Sequence, residues 1–437
     1  MNNTNHIAKK TSSEETDLPQ GFIGVDEKVP LKKAIPLSIQ HMFAMFGASV
    51  LVPILFNIDP ATVLFFNGIG TLIYAVITKR RIPAFLGSSF AFLAPVFALT
   101  SKGLSFAEIQ SGFVASGLMF TAVGALVGVF GTTWIKKLFP PAAMGAIVAI
   151  IGLELAPTAA DMAGFAVGGA NSVINNPTWI LVSMITLGTV ILSSVLLKGF
   201  LKVIPILIGV VVGYIAACFA GLVDFETIKN ASLLTVPKIE LVKFNINAIV
   251  TILPATFVVI AEHIGHLAVT SNIVGSDLSE NPGLNRSLMG DGISTTISGF
   301  FGSVPTTTYG ENIGVMALTK VYSVYVVCGA AIFSIVLAFS GTLSALIRSI
   351  PTPVLGGVSL LLFGSIATSG LRTFIEEKVD FSKGRNLIMT SVIMIIGLSG
   401  ITVNVGVELK GMGLATVVAI VLSVSFMIFD KLGIMNE

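Results

Sequence analysis

The chain has little charge and is nearly without cysteine, tryptophan and histidine. Of its 437 residues, 11% are charged and 54% are hydrophobic, whereas soluble domains run near a quarter charged. A water-soluble fold of this composition could not cover its own surface, so the chain reads as an integral membrane protein. A mean hydropathy of +0.93 agrees. The two cysteines, Cys218 and Cys328, lie in apolar runs. They leave no disulfide or thiolate-metal framework and read as buried, inert thiols. A net charge of +2 gives no ground for a nucleic-acid partner. No nucleophile–base pairing or metal set is present, so no enzyme chemistry and no cofactor is expected. Residues 1–33 are polar, mix acidic with basic side chains, and lack the charged, apolar, small order of a secretory signal. They read as a flexible cytoplasmic tail.

What the chain has instead is apolar length. A crossing needs roughly 17–25 residues of low charge. Fourteen candidate spans centre near residues 44, 69, 92, 120, 148, 187, 211, 258, 295, 313, 332, 361, 394 and 420. The spans near 92 and 313 are interrupted by Gly, Pro, Ser and Thr, so they read as broken segments rather than continuous helices. With the N-terminus inside, most of the 25 Lys and Arg fall on the inner side. That bias places both termini in the cytoplasm.

A weak internal repeat runs through the chain. Phe139-Pro140-Pro141 through Gly145 resembles Pro351-Thr352-Pro353 through Gly357, and Lys198-Gly199 recurs at Lys410-Gly411 with the same offset. Asn67-Gly68-Ile69 recurs as Asp291-Gly292-Ile293, and Gln40-His41 lines up with Glu262-His263, both at a slightly longer offset. Each copy holds seven spans. Seven is odd, so the second copy enters the membrane from the opposite side, as in the inverted repeats of many secondary transporters. The expected fold is all-α, with 14 transmembrane segments as two inverted seven-segment repeats.

The chemistry gathers between residues 254 and 319. Glu262, His263, His266, Asp291 and Glu311 stand there in apolar surroundings. A charged group in mid-bilayer costs about 2.5–3.5 kcal/mol even on the lenient scale, so such residues call for a function. Glu311 opens the half-helix after the break Val304-Pro305-Thr306-Thr307-Thr308-Tyr309-Gly310. It either caps that helix or, with the free amides beside it, faces a polar solute. Glu262 has no Lys or Arg within two turns; burial penalises its charged form, which makes it a candidate proton carrier. The plainer reading is a structural Glu–His bond. His266, at i+4, shares its face, while His263 lies off that face and reads as a hydrogen-bonding group inside the bundle. Glu262-His263-x-x-His266 is not the zinc motif HExxH, and no third ligand is evident. Phe90 and Tyr309 sit in the two broken segments, where a flat ring suits a flat ligand. Gln40-His41 is either a clasp to Asn312 or part of the site. Asp291 reads as a network residue beside it, and Glu154, near an outer boundary, as solvated.

Glu311-Asn312-Ile313-Gly314 through Thr319-Lys320 fits without mismatch the signature [Gln/Glu/Pro]-Asn-x-Gly-x-x-x-x-Thr-[Arg/Lys/Gly] of the nucleobase–ascorbate transporters (nucleobase–cation symporter-2 family), and Gln40-His41 matches that family's first-helix motif. The chain resembles that family from about residue 29 to residue 410 and beyond. It is most similar to the uracil-permease branch, with the runs at 38–48, 59–72, 86–92, 139–156 and 258–267 nearly intact. The resemblance implies a core domain of segments 1–4 and 8–11 (residues 34–138 and 245–348). It implies a gate domain of segments 5–7 and 12–14 (residues 139–244 and 349–437), and a short antiparallel strand pair from segments 3 and 10. It implies uracil binding at Phe90, Glu262, His266, Gly310 and Glu311, with Ala48 and Tyr309 lining. Proton coupling falls to Glu262, His266 and Glu311, with Gln40, His41, Asp291 and Asn312 in support, and the expected assembly is a homodimer in the cytoplasmic membrane. Phe363 stands where such permeases can carry Tyr, and Asp291 where the nearest relatives carry Asn. The expected activity is uracil–proton symport. The alternatives are a xanthine or urate symporter on the same fold, or an anion transporter of the related architecture. Glu311 opposes the last, since a carboxylate at a helix N-terminus repels anions.

Overall fold

Helix α1 (Leu31–Leu55) and helix α2 (Pro60–Ile77) open the chain, the second capped by Asp59, whose carboxylate accepts the Ala61 N–H at 3.0 Å. The computed structural model describes residues 22–166, 175–404 and 408–434. After α2 come strand β1 (Leu86–Ser88), a short 3-10 turn from Phe90, and helix α3 (Leu93–Thr100). Helix α4 (Phe106–Phe130) starts with a capping box between Ser105 and Glu108. Helices α5 (Pro141–Glu154), α6 (Pro177–Leu196) and α7 (Pro205–Phe219) complete the first half.

The second half repeats the order. Helix α8 (Ile246–Val274) and helix α9 (Leu284–Phe300) precede strand β2 (Thr306–Thr308) and helix α10 (Gly310–Thr319). Then follow α11 (Val324–Ala338), α12 (Thr352–Glu376), α13 (Gly384–Leu398) and α14 (Gly411–Leu432). The fold is all-α apart from short strands, as the composition and the two breaks imply. Among the described residues, eight helices are long and apolar enough to cross a membrane, and four further apolar helices run 10–17 residues. Large side chains such as Val129, Leu196, Phe219 and Ile395 face outward, as a lipid-facing surface requires.

The two halves use the same contacts. Helix α9 packs on α4 as α2 packs on α11, and α8 lies on α4 as α1 lies on α11. Helix α12 packs on α5 and α6, while α13 packs on α5 and α14. Gly68 and Gly292, equivalent positions in the two copies, make the close approaches possible. A Cβ on Gly292 would lie 2.7 Å from the Gly117 carbonyl, and one on Gly68 would lie 2.6 Å from the Ala331 carbonyl. Small residues at helix crossings serve this purpose in membranes.

Strands β1 and β2 pair antiparallel, with Leu86 opposite Thr308 and Ser88 opposite Thr306. Backbone at membrane depth must satisfy its polar groups within the protein. Thr71 on α2 accepts the Leu86 N–H at 2.9 Å, and Thr295 on α9 accepts the Thr306 N–H at 3.1 Å. The same hydroxyl of Thr295 donates to the Thr306 carbonyl at 3.1 Å. Thr71 and Thr295 are separated by the same offset as Gly68 and Gly292, so the repeat read from sequence extends to individual hydrogen bonds.

Three expectations need correction. Glu154 is half-buried rather than solvated: its carboxylate accepts the Met412 N–H at 2.9 Å, closing the free N-terminus of α14. The cysteines are unpaired but half-buried, not buried. Of the stretch read as a flexible tail, residues 1–21 lie outside the described residues, while Ile23 bonds on both sides to residues 320 and 322 at 3.0 and 2.9 Å. Sequence reading also missed a hairpin, β3 (Thr402–Asn404) with β4 (Glu408–Lys410).

Candidate functional site

Glu262 and His266 lie one turn apart on α8. His266 Nδ1 is 3.1 Å from Thr308 Oγ1, at the end of β2. Two residues on, Gly310 opens α10, and a Cβ there would stand 3.3 Å from His266 Nε2. Both imidazole nitrogens therefore face the junction of β2 with α10. Glu311 follows in the first turn of α10, half-buried, where backbone N–H groups have no intrahelical partner. It directly follows Gly310, which His266 faces.

Glu262 is exposed on α8, one turn before His266. Glu262, His266, Gly310 and Glu311 are thus brought together at one junction. Two carboxylates accept hydrogen bonds, and the amides of α10 donate them, so the junction can meet a solute that offers both N–H and C=O groups. The polar atoms Ser89 Oγ and Thr307 Oγ1 are buried near the crossing without a protein partner, as expected where a polar solute or water completes the bonding.

The aromatic residues divide. Tyr309 is buried, its hydroxyl donating to the Ser88 carbonyl at 3.0 Å and its ring lying against Gly87. It forms wall. Phe90, two residues after β1, packs on the core but keeps partial exposure, unlike Tyr309. Ala48 lies on α1, its side chain outside the described residues. Phe363 on α12 is fully buried.

The clasp is present for one of its two members. Asn312 Nδ2 lies 3.0 Å from the His41 carbonyl, to which it donates, and 3.1 Å from His41 Nδ1. Gln40 stays out of it, its Oε1 buried without a partner. Asp291 and His263 are both fully buried and meet at 2.9 Å. His263 and His266 engage different partners, so the Glu-His-x-x-His run does not converge on a point. Sequence reading missed Thr308 as the partner of His266. The alternation of a strand, which turns Thr306 and Thr308 to one side, was the signal available.

The model of a permease family (Xan_ur_permease) matches residues 32–406. Among curated relatives, the uracil permease of Paenibacillus larvae is 56% identical over 417 residues, covering 95% of this chain and 99% of the relative. The uracil permease of Escherichia coli K12 is 57% identical over 411 residues, covering 94% and 95%. That of Bacillus subtilis is 43% identical over 398 residues, covering 89% and 91%. Among solved structures, the transmembrane domain of a cyanobacterium bicarbonate transporter aligns with a TM-score of 0.64 at 15% identity, covering 92% of this chain and all of that one. The murine Slc26a9 anion transporter in the inward-facing state aligns at 0.66 and 10% identity, covering 92% and 69%. At such identities these two structures speak for the fold alone.

Proposed function

The chain belongs to this permease family, and from that premise we propose that it imports uracil with a proton across the cytoplasmic membrane. It is a transporter rather than an enzyme. The observation that carries the reading is the junction where His266 meets Thr308 and Gly310, with Glu262 and Glu311 beside it. Uracil presents two N–H donors and two carbonyl acceptors. The carboxylates accept from the N–H groups, while His266 or the first amides of α10 donate to the carbonyls, and the Phe90 ring covers the flat face. A site that satisfies those groups rejects rings lacking them, because its own buried groups would go unpaired. The naming of relatives at 56 and 57% identity supports the same substrate.

In this reading residues 34–138 with 245–348 form the core, and residues 139–244 with 349–437 form the gate. The packing of α9 on α4 and α2 on α11, and of α12 on α5 and α6, supports that division. Alternating access then moves the loaded core past the gate. Protonation of a carboxylate, Glu262 first, removes the charge that would otherwise cross an apolar boundary. One proton gains about 2.3 kcal/mol per 100 mV, enough for roughly fifty-fold accumulation at that potential. Both termini are cytoplasmic and the assembly is a homodimer.

The test is uptake of labelled uracil by cells lacking their own carrier. Glu262→Ala and Glu311→Ala each abolish uptake while the protein still reaches the membrane; normal uptake by either variant refutes the site. Uptake of labelled xanthine in the same cells, with none of labelled uracil, would move the substrate to a purine.

A further inference from the structure

A closed circuit of hydrogen bonds lies directly behind the site, on groups to which the transport reading assigns no contact with substrate. His263 Nδ1 meets Asp291 Oδ2 at 2.9 Å, and the other oxygen of Asp291 lies 3.3 Å from Thr306 Oγ1, whose hydroxyl is shared between Asp291 and Ser294 Oγ at 2.9 Å. Thr306 opens β2, and two residues on Thr308 meets His266, which lies one turn along α8 from His263. Both ends of β2 are therefore tied to α8, one directly and one through Asp291 on α9. With Nδ1 donating to Asp291, His263 Nε2 accepts from Ser287 Oγ at 2.7 Å, and that hydroxyl accepts from Tyr74 at 2.6 Å. Tyr74 and Phe120 close over the imidazole edge-on, with ring centroids at 6.2 and 5.9 Å.

Among the described residues, the first half has no such charge-bearing circuit at the matching place. Asn67, the counterpart of Asp291, donates to Ser49 on α1 at 3.1 Å, a neutral amide–hydroxyl contact. The acid and its histidine stand in the half that also carries Glu262 and Glu311, whose spacing depends on where β2 delivers α10. A buried charge-bearing pair is weak support for stability and better suited to fixing one arrangement.

We propose that His263 and Asp291 are positioning residues: they hold β2 in place under α8 and so set the distance between the carboxylates of Glu262 and Glu311. The pair touches no substrate. This inference rests on the uracil reading only for its second readout.

The experiment measures amide hydrogen exchange over residues 306–311, and equilibrium binding of labelled uracil, on detergent-purified full-length protein. Asp291→Ala is expected to speed exchange in 306–311 by about tenfold or more while α12 and α13 keep their protection, and to weaken uracil binding by about tenfold. Thr306→Val, which keeps both His263 and Asp291 but removes the hydroxyl contacts of Thr306 to Asp291, Ser294 and Thr295, is expected to act in the same direction and serves if Asp291→Ala does not fold. Asp291→Asn keeps one acceptor, for the His263 N–H, and turns an amide N–H toward Thr306 Oγ1, whose own hydroxyl can donate to Ser294 at 2.9 Å; it is expected to restore protection in 306–311. Unchanged exchange at 306–311 in both Asp291→Ala and Thr306→Val, or loss of protection spread evenly through the protein, overturns the proposal. Wild-type protein that binds no uracil, with 306–311 still loosened by Asp291→Ala, sinks the substrate reading and leaves this one standing.

Discussion

The ammonium of Lys102 lies 2.7 Å from the carboxylate of Glu408, joining the turn after α3 to the hairpin before α14. The hairpin end is anchored to α5 through the bond from Met412 N–H to Glu154. The pair bridges the two groups of helices that the proposed mechanism moves against each other, so a movement that separates these ends would break it. Lys102→Cys with Glu408→Cys, joined by a short thiol-reactive linker, should stop uracil uptake, and reduction of a cleavable linker should restore it. Full-rate transport by the linked protein would show that this contact does not move.

The same pair carries a pH expectation. Lys102 holds the Glu408 carboxyl below the usual carboxylate range. A depressed acid contributes above its unfolded pKa, about 4.3, and the contribution is lost as pH falls through the folded value. Acidifying the medium from pH 7 to 5 should leave the pair intact. Lys102→Glu should alter the uptake rate by at most about fivefold, as exposed pairs do, and exchange of the two charges (Lys102→Glu with Glu408→Lys) should bring it back. The effect of the single change should shrink at high salt.

Thr308 gives a sharper test of the site. Its hydroxyl is the described partner of His266 Nδ1. Thr308→Val keeps the shape and removes the bond, with a loss of about 0.5–1.5 kcal/mol in uracil binding, or roughly 2- to 12-fold in Kd. Thr308→Ser should bind as the parent does. Equal affinity for all three proteins would separate the His266 orientation from binding.

Much of this was legible before any coordinates. Apolar length gave the membrane, breaker residues gave the two interrupted segments, and offsets such as Asn67 to Asp291 gave the repeat, because helix crossings and strand caps demand the same small or hydroxylated residue in each copy. Thr71 with Thr295 shows how far that goes. The pairing of β1 with β2 and of His41 with Asn312 was foreseen through the family motifs, but distant pairing outside those motifs stayed hidden. His263 with Asp291, Lys102 with Glu408 and Glu154 with Met412 carry no local period. Each depends on a helix crossing that no single stretch of sequence encodes. The hairpin at β3 and β4 was hidden for another reason: it lies between two spans, where hydropathy carries no signal.

Gly292 tests the helix crossing itself. A Cβ there would stand 2.6 Å from Thr121 N and 2.7 Å from the Gly117 carbonyl, both backbone atoms that cannot step aside. Gly292→Ala should lower stability by about 1–3 kcal/mol, read as a fall in thermal midpoint in detergent. Gly413→Ala on α14, with nothing within 4 Å of the added carbon, should be neutral or slightly stabilising, since alanine favours the helix. Similar midpoints for both variants would mean that α9 can move off α4.

The two aromatic residues of the broken segments should separate cleanly into a ligand contact and a wall. Phe90 is half-buried, so in the proposed site Phe90→Ala removes stacking worth about 1–3 kcal/mol per base and should raise the uracil Kd by roughly 5- to 150-fold, with some fall in thermal midpoint because the ring also packs on the core. Phe90→Tyr keeps a ring and should recover most of the affinity. Tyr309 behaves in the opposite way. Its hydroxyl bonds to the Ser88 carbonyl inside the fold, so Tyr309→Phe leaves that acceptor short of a donor and should cost about 1–3 kcal/mol in stability. The ring contact with Gly87 is kept, and uracil affinity in the folded fraction should stay within about threefold. Affinity lost at Tyr309→Phe but retained at Phe90→Ala would reverse the assignment and put the stacking ring on the second repeat.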